Sequence, residues 1–130
     1  MTNNMLYKPN GYNAVSPYFV VKYAANFIDF LIEVFDGKEL TRYLTHEGAI
    51  MHAEVQIDDS IIMLGNATEK YLPNELLLHV YVPDVDKTFD KAIKYGCTSI
   101  ERPQNKEGEG NKRGSFKDIY GNTWAVSTQL

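Results

Sequence analysis

The 130-residue chain runs twice through one order of local patterns: a strand, a helix, then three strands. Internal repetition constrains a fold more tightly than any single short motif. In the first round, residues 15–21 (VSPYFVV) are β-branched and aromatic and predict a strand. Pro17 has no N–H to offer a ladder, so this strand should begin there or lie at a sheet edge. The period then changes. Phe27, Ile28, Leu31 and Phe35 fall on one face of a helix over residues 24–35, and Gly37 follows as a stop. Strands are expected at about 39–45, 49–57 and 60–65, with Glu47-Gly48 and Asp58-Asp59 as the turn signals between them.

Residues 66–75 (NATEKYLPNE) are polar, contain Pro73 and read as a linker. The pattern then starts again. Residues 76–82 (LLLHVYV) predict a strand, and Asp84 is a suitable N-cap for a helix whose apolar face is Val85, Phe89, Ala92 and Ile93. Gly96 ends that helix. A strand over 97–101 follows, then a glycine- and charge-rich loop over 102–111 (RPQNKEGEGN). Strands over 113–118 and 123–128, joined by a Tyr120-Gly121-Asn122 turn, complete the second round. Residues 1–12 are expected to form a loose arm.

This length implies one domain, 1–130, with module one over about 13–65, the linker over about 66–75 and module two over about 76–130. Neither half alone could bury both a helix and a sheet face well, so fusing or pairing the halves is the physical remedy. The predicted class is α+β: two βαβββ modules forming a curved mixed sheet around a cleft. With 13 Lys and Arg against 17 Asp and Glu, the net charge is −4. That argues against nucleic acid or an anionic membrane surface as partner. No apolar run is long enough to span a bilayer, and the first residues do not read as a secretory signal. One cysteine, Cys97, cannot form an internal disulfide, and a cytoplasmic location is the expectation.

Several segments carry a family resemblance: SPYFVV, MHAEVQIDDSIIMLGN, LLLHVYVPDVDKTFDKAIKYG and DIYGNTW, in that order and spacing. Together they resemble the vicinal oxygen chelate superfamily of glyoxalases, bleomycin resistance proteins and dioxygenases, and within it the PhnB-like branch. The resemblance implies modules that curl into a cleft holding ligand or metal, and chains that pair as homodimers. Fold alone does not choose among isomerases, dioxygenases, thiol transferases and metal-free binding proteins.

The family's metal-dependent members place His, Gln or Glu at four strand positions. Here those positions fall on Ser16, about Met63, Leu77 and Ala125. None is a good ligand, so no metal or other cofactor is expected at the usual site. Period-two geometry supplies other candidates. Ala53, Val55 and Ile57 make the better core face, which leaves His52, Glu54 and Gln56 facing the cleft. Likewise Leu77, His79 and Tyr81 should line the cleft while Leu78, Val80 and Val82 face the helix. Tyr18 is a further cleft candidate, whereas Trp124, alternating with Val126, should be core. Cys97 reads as an inert buried thiol, and His46 as exposed beside a turn.

The expected ligand-binding set is therefore His52, Glu54, His79, Tyr81 and Tyr18, around a small organic molecule. The first reading is metal-free binding. The second is a metal-independent enzyme using His52, Glu54 or His79 as acid and base, since a histidine near a carboxylate titrates close to neutrality. A metal-dependent lyase or dioxygenase, and a scaffold that only dimerises, are the remaining alternatives.

Overall fold

A computed structural model describes residues 7–106, 108 and 110–130. The elements, in chain order, are β1 (Tyr18–Val21), α1 (Ala24–Phe35), β2 (Lys38–Leu44), β3 (Ile50–Ile57) and β4 (Ser60–Asn66), then β5 (Leu77–Tyr81), α2 (Val85–Tyr95), β6 (Thr98–Asn105), β7 (Asn111–Lys117) and β8 (Thr123–Gln129). The strands form two four-stranded mixed sheets, ordered β1-β4-β3-β2 and β5-β8-β7-β6. In each sheet the module's first strand runs parallel to its last, and the other pairings are antiparallel. This is the βαβββ repeat. Among the described residues, no helix is long and apolar enough to cross a membrane.

Local chemistry sets the helix ends. The Asp84 side chain accepts a hydrogen bond from the Lys87 N–H at 3.2 Å, and Gly96 closes α2 at φ 118°, a left-handed position that suits glycine. On α1 the left-handed residue is Asp36, at φ 56°, one position before the expected glycine stop. Gly37 serves a different need. A Cβ there would lie 2.8 Å from Val55 Cγ1 and 2.9 Å from the Leu31 carbonyl oxygen, so the chain leaves the helix through a gap only glycine fits.

One core joins the modules. Phe19 on β1 stacks on Trp124 on β8 with centroids 5.5 Å apart, and Phe35 at the end of α1 approaches the same indole at 4.8 Å. Phe27, Phe30, Phe89 and Phe116 are also fully buried. Each such side chain contributes about 1.5–3 kcal/mol by leaving water. The helix-bearing faces of both sheets thus share one interior, and the opposite faces are left open.

Two expectations need correction. The segment over 102–111 is not all loop: β6 continues to Asn105 and β7 begins at Asn111. Within that segment, Glu107 and Glu109 lie outside the described residues. Pro103 fits a strand here because β6 is a sheet edge and its register shifts between Glu101 and Gln104. Gly114 on β7 makes the room, since a Cβ there would lie 2.9 Å from the Pro103 nitrogen. The arm is also not loose throughout. Residues 1–6 lie outside the described residues, but Tyr12, after a turn with Gly11 at φ 85°, is tied to the first sheet.

Strand β1 is an edge, as Pro17 implied, but it is not bare. Asn74 of the linker lies along it. The Val20 N–H donates to Asn74 Oδ1 at 3.0 Å, Asn74 Nδ2 donates to the Tyr18 carbonyl at 3.0 Å, and the Asn74 N–H donates to the Val20 carbonyl at 3.1 Å.

Candidate functional site

The site grows from strand alternation. On β3, Ala53, Val55 and Ile57 are buried, while His52, Glu54 and Gln56 lie half-buried on the open face. On β1, Phe19 and Val21 are buried and Tyr18 turns outward. The ladder pairs Tyr18 with Met63 and Met63 with Glu54, so these three stand in a row across the sheet.

A hydrogen-bonded chain runs over this face. The Tyr18 hydroxyl meets His52 Nδ1 at 2.9 Å, His52 Nε2 meets Glu54 Oε2 at 2.8 Å, and the Tyr12 hydroxyl donates to Glu54 Oε1. Tyr43, opposite His52 on β2, stacks near its imidazole with centroids 6.3 Å apart. Burial by itself would raise the Glu54 carboxyl. The hydrogen bonds from His52 and Tyr12, with the attraction of His52, outweigh it and hold Glu54 below the ordinary carboxylate range. The hydrogen bond to Glu54 raises the Tyr12 phenol, and burial helps. Burial, followed by the negative charge of Glu54, raises the Tyr18 phenol. Both tyrosines are thereby kept as neutral hydroxyls.

Tyr18 also borders a cavity of about 630 Å³. Its walls are the end of β1, the start of β3, the end of β4 and the linker, with Val20, Ile50, Met51 and Tyr71 supplying apolar surface. The linker wall is folded rather than slack. The Thr68 N–H donates to the Tyr71 carbonyl at 2.8 Å, and the Tyr71 N–H donates to Thr68 Oγ1 at 2.9 Å. Gly65 lies against Tyr18, where a Cβ would sit 3.4 Å from the phenolic oxygen and 2.7 Å from the Met51 carbonyl oxygen.

His79 and Tyr81 belong to the other sheet. Leu77, His79 and Tyr81 are exposed, and Leu78 and Val80 pack on the core, as alternation requires. His79 Nε2 is 2.7 Å from the hydroxyl of Ser127, and its ring meets Tyr81 edge-on at 4.5 Å. Both residues border a second cavity, of about 470 Å³, with Pro17, Asp58 and Asp59. The five expected site residues thus form two groups, Tyr18–His52–Glu54 and His79–Tyr81, on separate sheets. Alternation predicts the face of a sheet, but not which other face it meets.

Sequence reasoning missed Tyr12 and the linker wall. For Tyr12 a signal existed, because Pro9-Asn10-Gly11 is a turn that can fold the arm back. For Thr68 and Tyr71 there was none beyond polarity.

The positions that the resemblance assigns to a metal carry Ser16, about Met63, Leu77 and Ala125. A hydroxyl, a thioether and two hydrocarbon side chains do not make a site for a divalent ion. Among the described residues, no three His, Cys, Asp or Glu gather where they could hold one. The residues present do not fit the family's metal.

Known proteins share this architecture. The chain is 30% identical over 124 residues to an uncharacterised protein of Mycobacterium bovis, covering 87% of this chain and 81% of the relative. It superposes on the PhnB protein from Bacillus cereus with a TM-score of 0.73 at 15% identity, covering 89% of this chain and 99% of that one. It superposes on TnmS3, an antibiotic binding protein from Streptomyces sp. CB03234, with a TM-score of 0.68 at 19% identity, covering 92% and 100%. The profile of the Glyoxalase/Bleomycin resistance protein/Dioxygenase superfamily matches residues 14–126, and the chain belongs to that superfamily.

Proposed function

We propose that the protein binds a small, largely apolar organic molecule in the cavity beside Tyr18, without a metal. One observation carries this reading: a cavity of about 630 Å³ with mainly apolar walls has, at its edge, a hydroxyl fixed by the His52–Glu54–Tyr12 chain. A pocket of apolar walls with a few placed polar groups is how proteins hold small organic ligands. That TnmS3, with the same fold, is an antibiotic binding protein is in keeping with it. Thermal shift against a panel of hydrophobic metabolites and drugs tests the reading. A hit at a hundred times its Kd adds about 2.7 kcal/mol of stability. Ala49→Trp, which sets an indole at the cavity wall, should abolish the shift, and a shift that survives would move the site elsewhere.

A second reading is a metal-independent enzyme. The order Tyr18–His52–Glu54 favours it, because a carboxylate that orients a histidine, which in turn faces a hydroxyl, is the arrangement that activates such a hydroxyl. His79 is bonded to Ser127 on the other sheet and takes no part in that chain. Turnover of a bound compound that is lost in His52→Gln, with binding retained, would put this reading first. We further propose that two copies pair, and that the open face of the second sheet is covered in the pair.

A further inference from the structure

Resting on that binding reading, we infer that the cavity selects an apolar molecule bearing a hydroxyl group that donates a hydrogen bond to the phenolic oxygen of Tyr18. Glu54 Oε1 receives the Tyr12 proton, and Oε2 faces His52 Nε2 at 2.8 Å. An ionised carboxylate can only accept, so Nε2 must carry a hydrogen. In the neutral imidazole the other nitrogen is then an acceptor, and the Tyr18 hydroxyl stands 2.9 Å from it. A phenol has one proton, and here it points at Nδ1. What Tyr18 has left to offer a ligand is lone pairs.

The acceptor character belongs to the Tyr18 oxygen itself. Asn66 has both ends of its amide engaged: Oδ1 accepts from the Ile50 N–H at 2.7 Å, and Nδ2 donates to the Lys22 carbonyl at 2.9 Å. Thr45 and Thr68 each accept a backbone N–H and keep a hydroxyl hydrogen to donate, and Lys70 also lines the cavity, so acceptor groups of a ligand have their partners away from Tyr18. Because residue 65 is glycine, no side chain stands between the Tyr18 oxygen and the cavity on that flank. A ligand carbonyl or ether at this place would set lone pair against lone pair, whereas a hydroxyl completes the chain.

Two probes of nearly equal shape test this, 1-hydroxypyrene and 1-methoxypyrene, titrated by their fluorescence. The titrations are run at about pH 8. The wild-type protein should bind 1-hydroxypyrene roughly tenfold or more tightly than 1-methoxypyrene, the cost of an unmatched polar group. Tyr18→Phe should bring the two affinities together, chiefly by weakening 1-hydroxypyrene. Equal wild-type affinities, both lost in Ala49→Trp, would overturn the hydroxyl rule and leave the cavity reading intact. Binding of neither probe, or binding that Ala49→Trp does not touch, would overturn both. The comparison of probes needs only the wild-type chain, so it holds even if Tyr18→Phe folds poorly.

Discussion

Glu54 keeps its charge on a half-buried sheet face because its neighbours answer both of its oxygens. Its folded pKa is lowered, so the stability it contributes is present above the unfolded value of about 4.5 and is lost as pH falls through the lower folded value. Glu54→Gln should therefore cost about 1–3 kcal/mol at neutral pH, as for hydrogen bonds to a charged group. The difference from wild type should close in urea titrations as pH falls below the lowered folded value, once the carboxyl is protonated in both states. A difference that is flat with pH would mean the chain through His52 is not held by charge. Cys97 is the opposite case. Burial, followed by the charge of Asp118, pushes its thiol up from 9.0 to about 12, leaving thiolate roughly a thousandfold scarcer than for a free cysteine. Labelling by iodoacetamide at about pH 8 should be slower by at least that factor in the folded protein and should recover in denaturant. Rapid labelling of native protein would contradict the burial. As pH rises through the folded value near 12, the thiol ionises and its contribution to stability is lost.

The turn between β7 and β8 shows how one residue can organise an element. Asp118 Oδ1 accepts from the backbone N–H groups of Tyr120 and Asn122, both at 2.9 Å. Its Oδ2 accepts from the Asn122 amide at 3.2 Å and the Trp124 indole at 2.9 Å. Asn122 Oδ1 then accepts the Leu76 N–H at 2.8 Å, which ties the turn to the start of β5. Asp118→Ala would strand several buried donors, each costing about 1–3 kcal/mol, so a loss of at least about 3 kcal/mol is expected in denaturant melts. A loss under about 1 kcal/mol would show that water replaces the carboxylate. The segment DIYGNTW was legible as a turn from its glycine and asparagine, and Trp124 as core from its alternation with Val126. The carboxylate's grip on the indole was not legible, because no local rule links Asp118 to a side chain six residues on. Both helices were readable from apolar spacing to within a residue of their ends. Strand β6 was not. Pro103 is a breaker by composition, and only its edge position and the glycine opposite it let the strand continue.

At the scale of the molecule, alternation found the open faces but could not find how the modules pack. The stacking of Phe19 on Trp124 settles that, and it puts His79 and Tyr81 on a different sheet from His52. The sheet edge at Pro17 is a weak reason for dimerisation, because Asn74 already satisfies Val20 and Tyr18. The stronger reason is the open face of the second sheet, where Leu77 is 75% exposed and Tyr81 67%. Hydrophobic groups so placed favour cover by another surface, and two-fold pairing is the commonest closed solution. We therefore expect light scattering at micromolar concentration to give twice the 14.8 kDa of one chain, and Leu77→Asp to halve it. The same pairing decides the role of His79. If a second copy carries its His79–Tyr81 face over the first sheet, His79→Ala should weaken ligand binding about tenfold, close to 1.4 kcal/mol. A wild-type monomer would remove that route, and His79→Ala would then leave affinity at Tyr18 unchanged.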